Sequence, residues 1–268
     1  MQINTNISSV ISANALASAN RDISNSVQRI STGVRLSQDD PSSIGTSARL
    51  KAQIGSLSKA NDNINKAIGA TQMMDSSLGE ITSILLSMKE LAVASSSVSA
   101  TTEDKAANDL AYQQLLSALD AASGIPKLGS TDLLKGTSGF SVRVGSETAS
   151  TFSVPTWDTQ AAALSLTGTN VSAAAAAAET ALNTAINNVT GYQAKIGAAM
   201  KVLESLGNVN DAVITGATAA YSSVSSTDMA RETASLAAAQ IRQNASAAMF
   251  AQSNSMSREV VGYLLKGV

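Results

Sequence analysis

Residues 50–92 read LKAQIGSLSKANDNINKAIGATQMMDSSLGEITSILLSMKELA. Leu50, Ile54, Leu57, Asn61, Ile64 and Ile68 recur at intervals of four and three, and Met74, Leu78, Ile81, Leu85, Met88 and Ala92 repeat the rule in a second register. A mean spacing of about 3.5 residues holds these side chains on one seam of an α-helix, and such a seam requires a second helix. A matching run lies far downstream, where Leu182, Ile186, Val189, Gln193, Ile196, Met200 and Leu203 keep the same intervals. Each seam carries one amide, Asn61 and Gln193; a polar residue there fixes register at some cost in stability. The expected fold is mainly α, a long antiparallel helical coiled-coil hairpin.

The helix ends are legible. Asp39-Asp40-Pro41 sets an acidic cap before a proline at the first helical position, where the missing N–H costs nothing. A helix is therefore expected from Pro41 to about Ser97, on the order of 80 Å at ~1.5 Å per residue. Another runs from Thr102 to Ser123, before Gly124-Ile125-Pro126, and Thr227-Asp228 caps a last helix that continues almost to Val268. The first segment, Ile3 to Val34, is also helical in pattern. Ile3, Ile7 and Val10 make one stripe and Ile23, Val27, Ile30 and Val34 another, with Thr32-Gly33 marking a joint. Its expected partner is the C-terminal stripe of Met249, Met256, Val260, Val261, Leu264 and Leu265. A lone monomer would leave such stripes half exposed, and exposed apolar patches mark interaction sites.

The middle changes period. Phe140-Ser141-Val142-Arg143-Val144 and Thr151-Phe152-Ser153-Val154 alternate apolar with polar around Gly145 to Ser150, which reads as a β-hairpin. Residues 155–172 are expected to form a short connection, and the alanines from Ala173 to Ala178 to begin the returning helix. The organisation is then 1–40 as an N-terminal helix and joint, 41–124 as long helices and 125–172 as hairpin and connection. Residues 173–226 are expected to form the returning helix and 227–268 the C-terminal helix.

Composition narrows the function. Phe, Trp and Tyr reach only 3% of the chain, so aliphatic helix seams are favoured over the thick core that aromatic side chains dominate. A net charge of −2 supplies no basic field for nucleic acid. No apolar run approaches the ~20 residues that span a bilayer, so no membrane insertion is expected. Histidine and cysteine are both absent, which removes the commonest acid–base group, the commonest metal ligand and all thiolate chemistry. No catalytic, metal or cofactor residue is assigned. The opening Met1-Gln2-Ile3-Asn4-Thr5-Asn6 lacks the basic and apolar regions of a cleaved leader, so export, if any, is expected by another route.

Several stretches together resemble the bacterial flagellins. Ile3-Asn4-Thr5-Asn6, Arg29-Ile30-Ser31-Thr32-Gly33-Val34-Arg35 and Asp39-Asp40 are similar to the family's N-terminal signature. Lys89-Glu90-Leu91-Ala92-Val93 resembles its stretch late in the long helix, Phe140 to Val154 its core hairpin, and Thr227-Asp228-Met229-Ala230-Arg231-Glu232 with Ile241 and Ala251-Gln252 its last helix. The resemblance covers residues 1–155 and 173–268. It implies terminal helices paired around a filament channel, surrounding outer-core helices, and only residues 155–172 where larger members insert variable domains. It also implies an extracellular filament subunit with no cofactor, exported through the flagellar type III route. The expected partners are other copies of itself, hook-associated and cap proteins, and an export chaperone at the C-terminal helix.

Under this reading the terminal stripes form the polymerisation interface, and their ordering is coupled to docking. Arg29, Arg35, Asp39, Asp40, Arg49, Glu90, Arg231, Arg242 and Arg258 are candidate contacts between subunits, where matched charges set register more than affinity. Members sensed by the Toll-like receptor for flagellin carry Arg and Glu at positions that correspond to Ser87 and Ala111, so weak recognition is expected. Serine and threonine are abundant enough for O-glycosylation without naming a site. A hook–filament junction protein is the alternative that shares paired terminal helices; a secreted coiled-coil scaffold accounts for the heptads but not for the hairpin. A metallopeptidase would need His-Glu-x-x-His, and the chain has no histidine.

Overall fold

A computed structural model describes residues 6–35, 41–136 and 138–266; the side chains of residues 41, 257, 260, 261 and 263–266 lie outside that description. The elements are α1 (Ile7–Thr32), α2 (Pro41–Ser96), α3 (Thr102–Ser123), β1 (Lys127–Leu128), β2 (Thr131–Asp132), β3 (Phe140–Arg143), β4 (Thr151–Val154), α4 (Val171–Ser225) and α5 (Met229–Lys266). The chain divides into two compact units, residues 53–216 and residues 1–52 with 217–268. The mainly α fold class with long helices and a small β-hairpin, read from the sequence, is the observed one.

In the 53–216 unit, α2 and α4 run antiparallel. Asn61 Nδ2 donates to Asp211 Oδ1 at 2.6 Å, and Gly207 faces the Ile64 side chain. The buried seam of α2 follows one register, Leu57, Ala60, Ile64, Ala67, Thr71, Met74, Leu78, Ile81, Leu85, Met88, Ala92 and Ser95, with Ala70 buried beside it. From Met74 onward it coincides with the register read from the sequence. Before Met74 it does not: Ala60 and Ala67 are buried where Asn61 and Ile68 were expected, and both of these are half-buried flanks. The same shift occurs on α4, where Leu182, Val189, Ile196 and Leu203 are buried but Ala185 and Ala199 occupy the centre. Ile186, Gln193 and Met200 are half-buried beside it. Large side chains drew the sequence reading one position sideways, because alanine at the centre lets two backbones approach while bulkier neighbours cover the flanks. Leu50 and Ile54 are half-buried.

Asn61 and Asn210 form the polar contact of this seam. Asn210 Nδ2 donates to Asn61 Oδ1 at 3.0 Å and to the Val144 carbonyl at 2.8 Å, tying both helices to the end of the hairpin. β3 and β4 pair antiparallel with Phe140 opposite Val154 and Val142 opposite Phe152. Val142 and Val154 then pack on Ile64, Ala67 and Leu203. Gly139 opens the hairpin at φ +65°, where an added Cβ would come within 2.9 Å of the Val154 carbonyl oxygen.

Residues 155–170 are not the plain connection expected from sequence. Ala161, Leu164 and Leu166 are buried in the main core with Leu119, Leu133 and Leu134. Asp120 accepts from the Ala161 N–H at 2.7 Å, and Asp109 accepts from the Val171 N–H at 2.9 Å. Trp157 stacks on Tyr192 with ring centroids 4.7 Å apart, and Lys195 Nζ lies 5.5 Å from the Trp157 ring. Burial pushes the Tyr112 phenol above its ordinary value, despite its hydrogen bond with Thr169 at 2.7 Å. The small antiparallel β1–β2 pair also went unread, since two residues per strand carry no measurable period. α4 begins two residues before the alanine run and is broken at Ala174, where φ −142° and ψ 51° are not helical.

α3 starts on a complete capping box: Asp104 N donates to Thr101 Oγ1 at 3.2 Å, and Thr101 N donates to Asp104 Oδ2 at 3.1 Å. The Thr101 hydroxyl and backbone N–H hold the Asp104 carboxyl below its ordinary value. A depressed carboxylate stabilises the fold above its unfolded pKa, and this contribution fades as pH falls through the lowered value. Thr101→Ala is therefore expected to lower the melting temperature at neutral pH. The gap to wild type should narrow on acidification below about pH 4, as followed by circular dichroism.

Candidate assembly surface

The unit formed by residues 1–52 and 217–268 contains both terminal helices. Asn6 caps α1 by accepting from the Ser9 N–H at 3.1 Å, and Gly33 ends it in the left-handed conformation with its N–H on the Arg29 carbonyl. Asp228 opens α5 by accepting from the N–H groups of Ala230 and Arg231. Backbone bonds join these ends: Arg35 N to the Ser225 carbonyl at 2.9 Å and Thr227 N to the Gly33 carbonyl at 3.0 Å.

α1 and α5 pair antiparallel. Asn6 Nδ2 donates to the Ser253 carbonyl, Gln243 Nε2 to Asn20 Oδ1, and Arg29 Nη1 to Glu232 Oε1 at 2.9 Å. The α1 seam has buried Ser12, Ala19 and Ser26 alternating with half-buried Leu16, Ile23 and Ile30. Across it lie Glu232, Leu236, Ala239, Gln243, Ser246 and Phe250, of which Ala239 alone among them is buried. Such small and polar side chains remove little apolar area from water, at ~25 cal/mol per Å². The pairing is correspondingly thin.

Other large apolar residues of the two helices face outward. Ile7 is 66% exposed, Ile11 64%, Ile241 69% and Met249 63%, with Val10, Val27, Val34, Met229 and Met256 also exposed. The two α1 stripes read from the sequence therefore belong to different faces. Ile7 and Ile23 are sixteen residues apart, about 160° around a helix of 3.6 residues per turn. Ile23 and Ile30 enter the intrachain seam; Ile7, Val10 and Val27 do not. Nor do Met249 and Met256, the two members of the C-terminal stripe whose side chains are described. Ile3 lies outside the described residues, as do the side chains of Val260, Val261, Leu264 and Leu265. Ile11 and Ile241 were missed, although each extends an apolar face at helical spacing.

Several charges expected between subunits are engaged within the chain. Arg29 and Glu232 form an ion pair with both side chains mostly covered, and Arg242 Nη2 lies 3.2 Å from Asp22 Oδ2. Arg35 Nε donates to the Ser226 carbonyl at 3.1 Å. Antiparallel pairing brings these partners together across some two hundred residues, which sequence spacing does not reveal. Arg49, Glu90, Arg231 and Arg258 are exposed, while Asp39 and Asp40 lie outside the described residues. Among the described residues no cluster of side chains fits a metal ion, and no helix is long and apolar enough to cross a membrane.

Comparison with known proteins agrees with this layout. Residues 3–137 match the bacterial flagellin N-terminal helical region, and residues 180–264 match the bacterial flagellin C-terminal helical region. Flagellin of Bacillus subtilis strain 168 is 28% identical over 305 aligned positions that cover 98% of this chain and all of that protein. Phase 1 flagellin of Salmonella naestved is 26% identical over 81% of this chain but only 43% of its own length. This chain thus spans less than half of that relative. Among solved structures, Bacillus cereus flagellin aligns with a TM-score of 0.50 at 24% identity, over 55% of this chain and 88% of that one. A Vibrio parahaemolyticus structure described as a flagellar hook-associated protein aligns at 0.59 with 12% identity, over 70% of this chain and all of that one. At these identities both speak for the fold alone.

Proposed function

Since the chain belongs to the bacterial flagellin family, whose members are structural subunits of the flagellar filament, we propose that it polymerises through the outward faces of α1 and α5. The observation that carries this reading is the inversion of burial in the terminal unit. The fully buried residues of the intrachain seam are Ser12, Ala19, Ser26 and Ala239, flanked by half-buried Leu16, Ile23, Ile30, Leu236 and Phe250, while Ile7, Val10, Ile11, Ile241 and Met249 are left to water. A soluble monomer gains nothing from that arrangement; a subunit whose outer faces meet neighbours gains burial only on assembly. The weak seam keeps the ordering cost of the termini unmet until docking supplies the remaining contacts. Contacts between different patches on successive subunits do not close, so they generate an open helical polymer.

The finer assignments follow from the same reading. Residues 1–40 and 227–268 form the inner layer of the filament, and residues 41–226 the outer core without an inserted variable domain. The chain is exported to the cell exterior, meets hook-associated and cap proteins at the ends of the filament, and presents α5 to an export chaperone before assembly. No residue is assigned to catalysis or to a cofactor. The family regions matched are those of flagellin, which places the filament subunit ahead of the hook–filament junction reading.

The test is seeded polymerisation of the purified full-length chain, followed by sedimentation and negative-stain electron microscopy. Long filaments are expected. Assembly that stops at short rings would transfer the chain to the junction-protein reading. Ile11→Asp places a charge on the outer face of α1 without entering its seam. It should abolish filaments while leaving the helical circular dichroism spectrum unchanged, and filaments of normal length from this variant would refute the assignment of that face.

A further inference from the structure

The chain has no cysteine, so methionine is its only sulfur, and its methionines differ in exposure: Met73 and Met229 are 43% and 45% exposed and Met200 is half-buried. Met74 and Met88 are fully buried in the α2 seam, as is usual for this residue type. Met249 and Met256 are 63% and 57% exposed. They stand seven residues apart on α5, two helical turns and about 10 Å along one side of the helix. Both flank the seam of Gln243, Ser246 and Phe250 rather than entering it. The Met249 and Met256 thioethers are therefore open to solvent in the monomer and sit on the face that Proposed function assigns to subunit contact.

From this juxtaposition we infer that Met249 and Met256 form a paired oxidation site through which peroxide-class oxidants block incorporation of the free subunit. The step is a two-electron oxygen transfer. The thioether sulfur attacks one peroxide oxygen, the O–O bond breaks, an S=O bond forms, and the other oxygen leaves as water after proton transfer. Methionine is oxidised to its sulfoxide and hydrogen peroxide is reduced, with no further reactant. The product is a polar, chiral group on a side chain that had been flexible and apolar. In the monomer the new S=O is solvated by water and costs little. At a packed subunit contact it must leave that water for neighbours chosen for methyl and methylene groups. A buried acceptor without a donor opposes burial strongly enough to shift an equilibrium about tenfold or more. Two sulfoxides on one face act on the same docking event. Met74 and Met88, sealed in the core, stay reduced, so the outer-core helices remain folded while the terminal face loses its affinity.

The inference rests on the assembly reading, and the experiment separates the two. Full-length monomer is treated with hydrogen peroxide, and sulfoxide at each methionine is quantified by peptide mass spectrometry. The critical concentration for seeded polymerisation is then measured beside untreated protein and a Met249→Leu/Met256→Leu variant. Sulfoxide is expected at Met249 and Met256 well before Met74 and Met88. Critical concentration should rise at least tenfold, the helical spectrum should be unchanged, and methionine sulfoxide reductase should restore assembly. The leucine variant, apolar and of similar volume, should polymerise normally and keep its critical concentration after peroxide. Unchanged assembly of protein carrying both sulfoxides would overturn the oxidation site alone, as would equal loss of assembly in the oxidised leucine variant. Failure of untreated full-length protein to polymerise at all would overturn the assembly reading, and the oxidation site with it.

Discussion

A chain lacking residues 1–35 and 228–268 is expected to melt as one cooperative helical unit and to form no filament under any condition that polymerises the full chain. The first half of this expectation follows from where the core lies. Every buried member of both hydrophobic clusters falls between Ile64 and Leu203, so the deletion removes none of them. Residues 155–170, which bury Ala161, Leu164 and Leu166 in this core, are also retained, as are the hydrogen bonds to α3 from Ala161 and from Val171 at the start of α4. The second half follows from the outward apolar faces, which leave with the deleted helices. Thermal circular dichroism and negative-stain microscopy report the two halves separately. Filaments from the truncated chain would show that the outer-core helices polymerise alone. A gradual, non-cooperative melt would show that the terminal helices are needed to hold the core together.

Leu85→Ala should destabilise the 53–216 unit by about 2–5 kcal/mol, the range for truncating a fully buried leucine whose surroundings collapse only in part. Leu85 is wholly buried at the centre of the α2 seam, between Ile81 and Met88. In a unit of this size each kcal/mol lowers the melting temperature by roughly 2–4 °C, so a fall of about 4–20 °C is expected. The neighbouring Leu86 provides the control: it is 48% exposed, and Leu86→Ala should cost much less. Both substitutions remove the same atoms and leave the same helix former, so their difference isolates burial from helix propensity. Comparable melting temperatures for the two variants would mean that the seam does not run through Leu85.

Much of this was legible in the amino-acid sequence because it depends on interactions that are short in range. The 3.5-residue spacing from Met74 to Ala92 fixed a helix and its buried face, and the observed seam follows those residues. α3 runs from Thr102 to Ser123, the span read from the sequence before Gly124-Ile125-Pro126. Period-two alternation located the β3–β4 hairpin within Phe140 to Val154. Each of these signals is set within a few residues, where side-chain direction and backbone hydrogen bonding are decided locally.

What the sequence left open required knowledge of the partner. At Ala60, Ala67, Ala185 and Ala199 the centre of the seam falls on alanine, and only close approach of a second backbone makes so small a side chain the better occupant. Residues 155–170 carry no regular period, yet they enter the core because Asp120 on α3 accepts the Ala161 N–H and Asp109 that of Val171, where the segment meets α4. Arg29 and Arg242 look like surface charges along the chain, and antiparallel pairing alone brings Glu232 and Asp22 to them. By itself the sequence determined that the chain forms long helices with seams, where most of them start and stop, and that a hairpin lies between them. Tertiary structure decided which residue stands at the centre of each seam and which apolar face remains outside, because burial depends on what packs from across the fold and no local period records it.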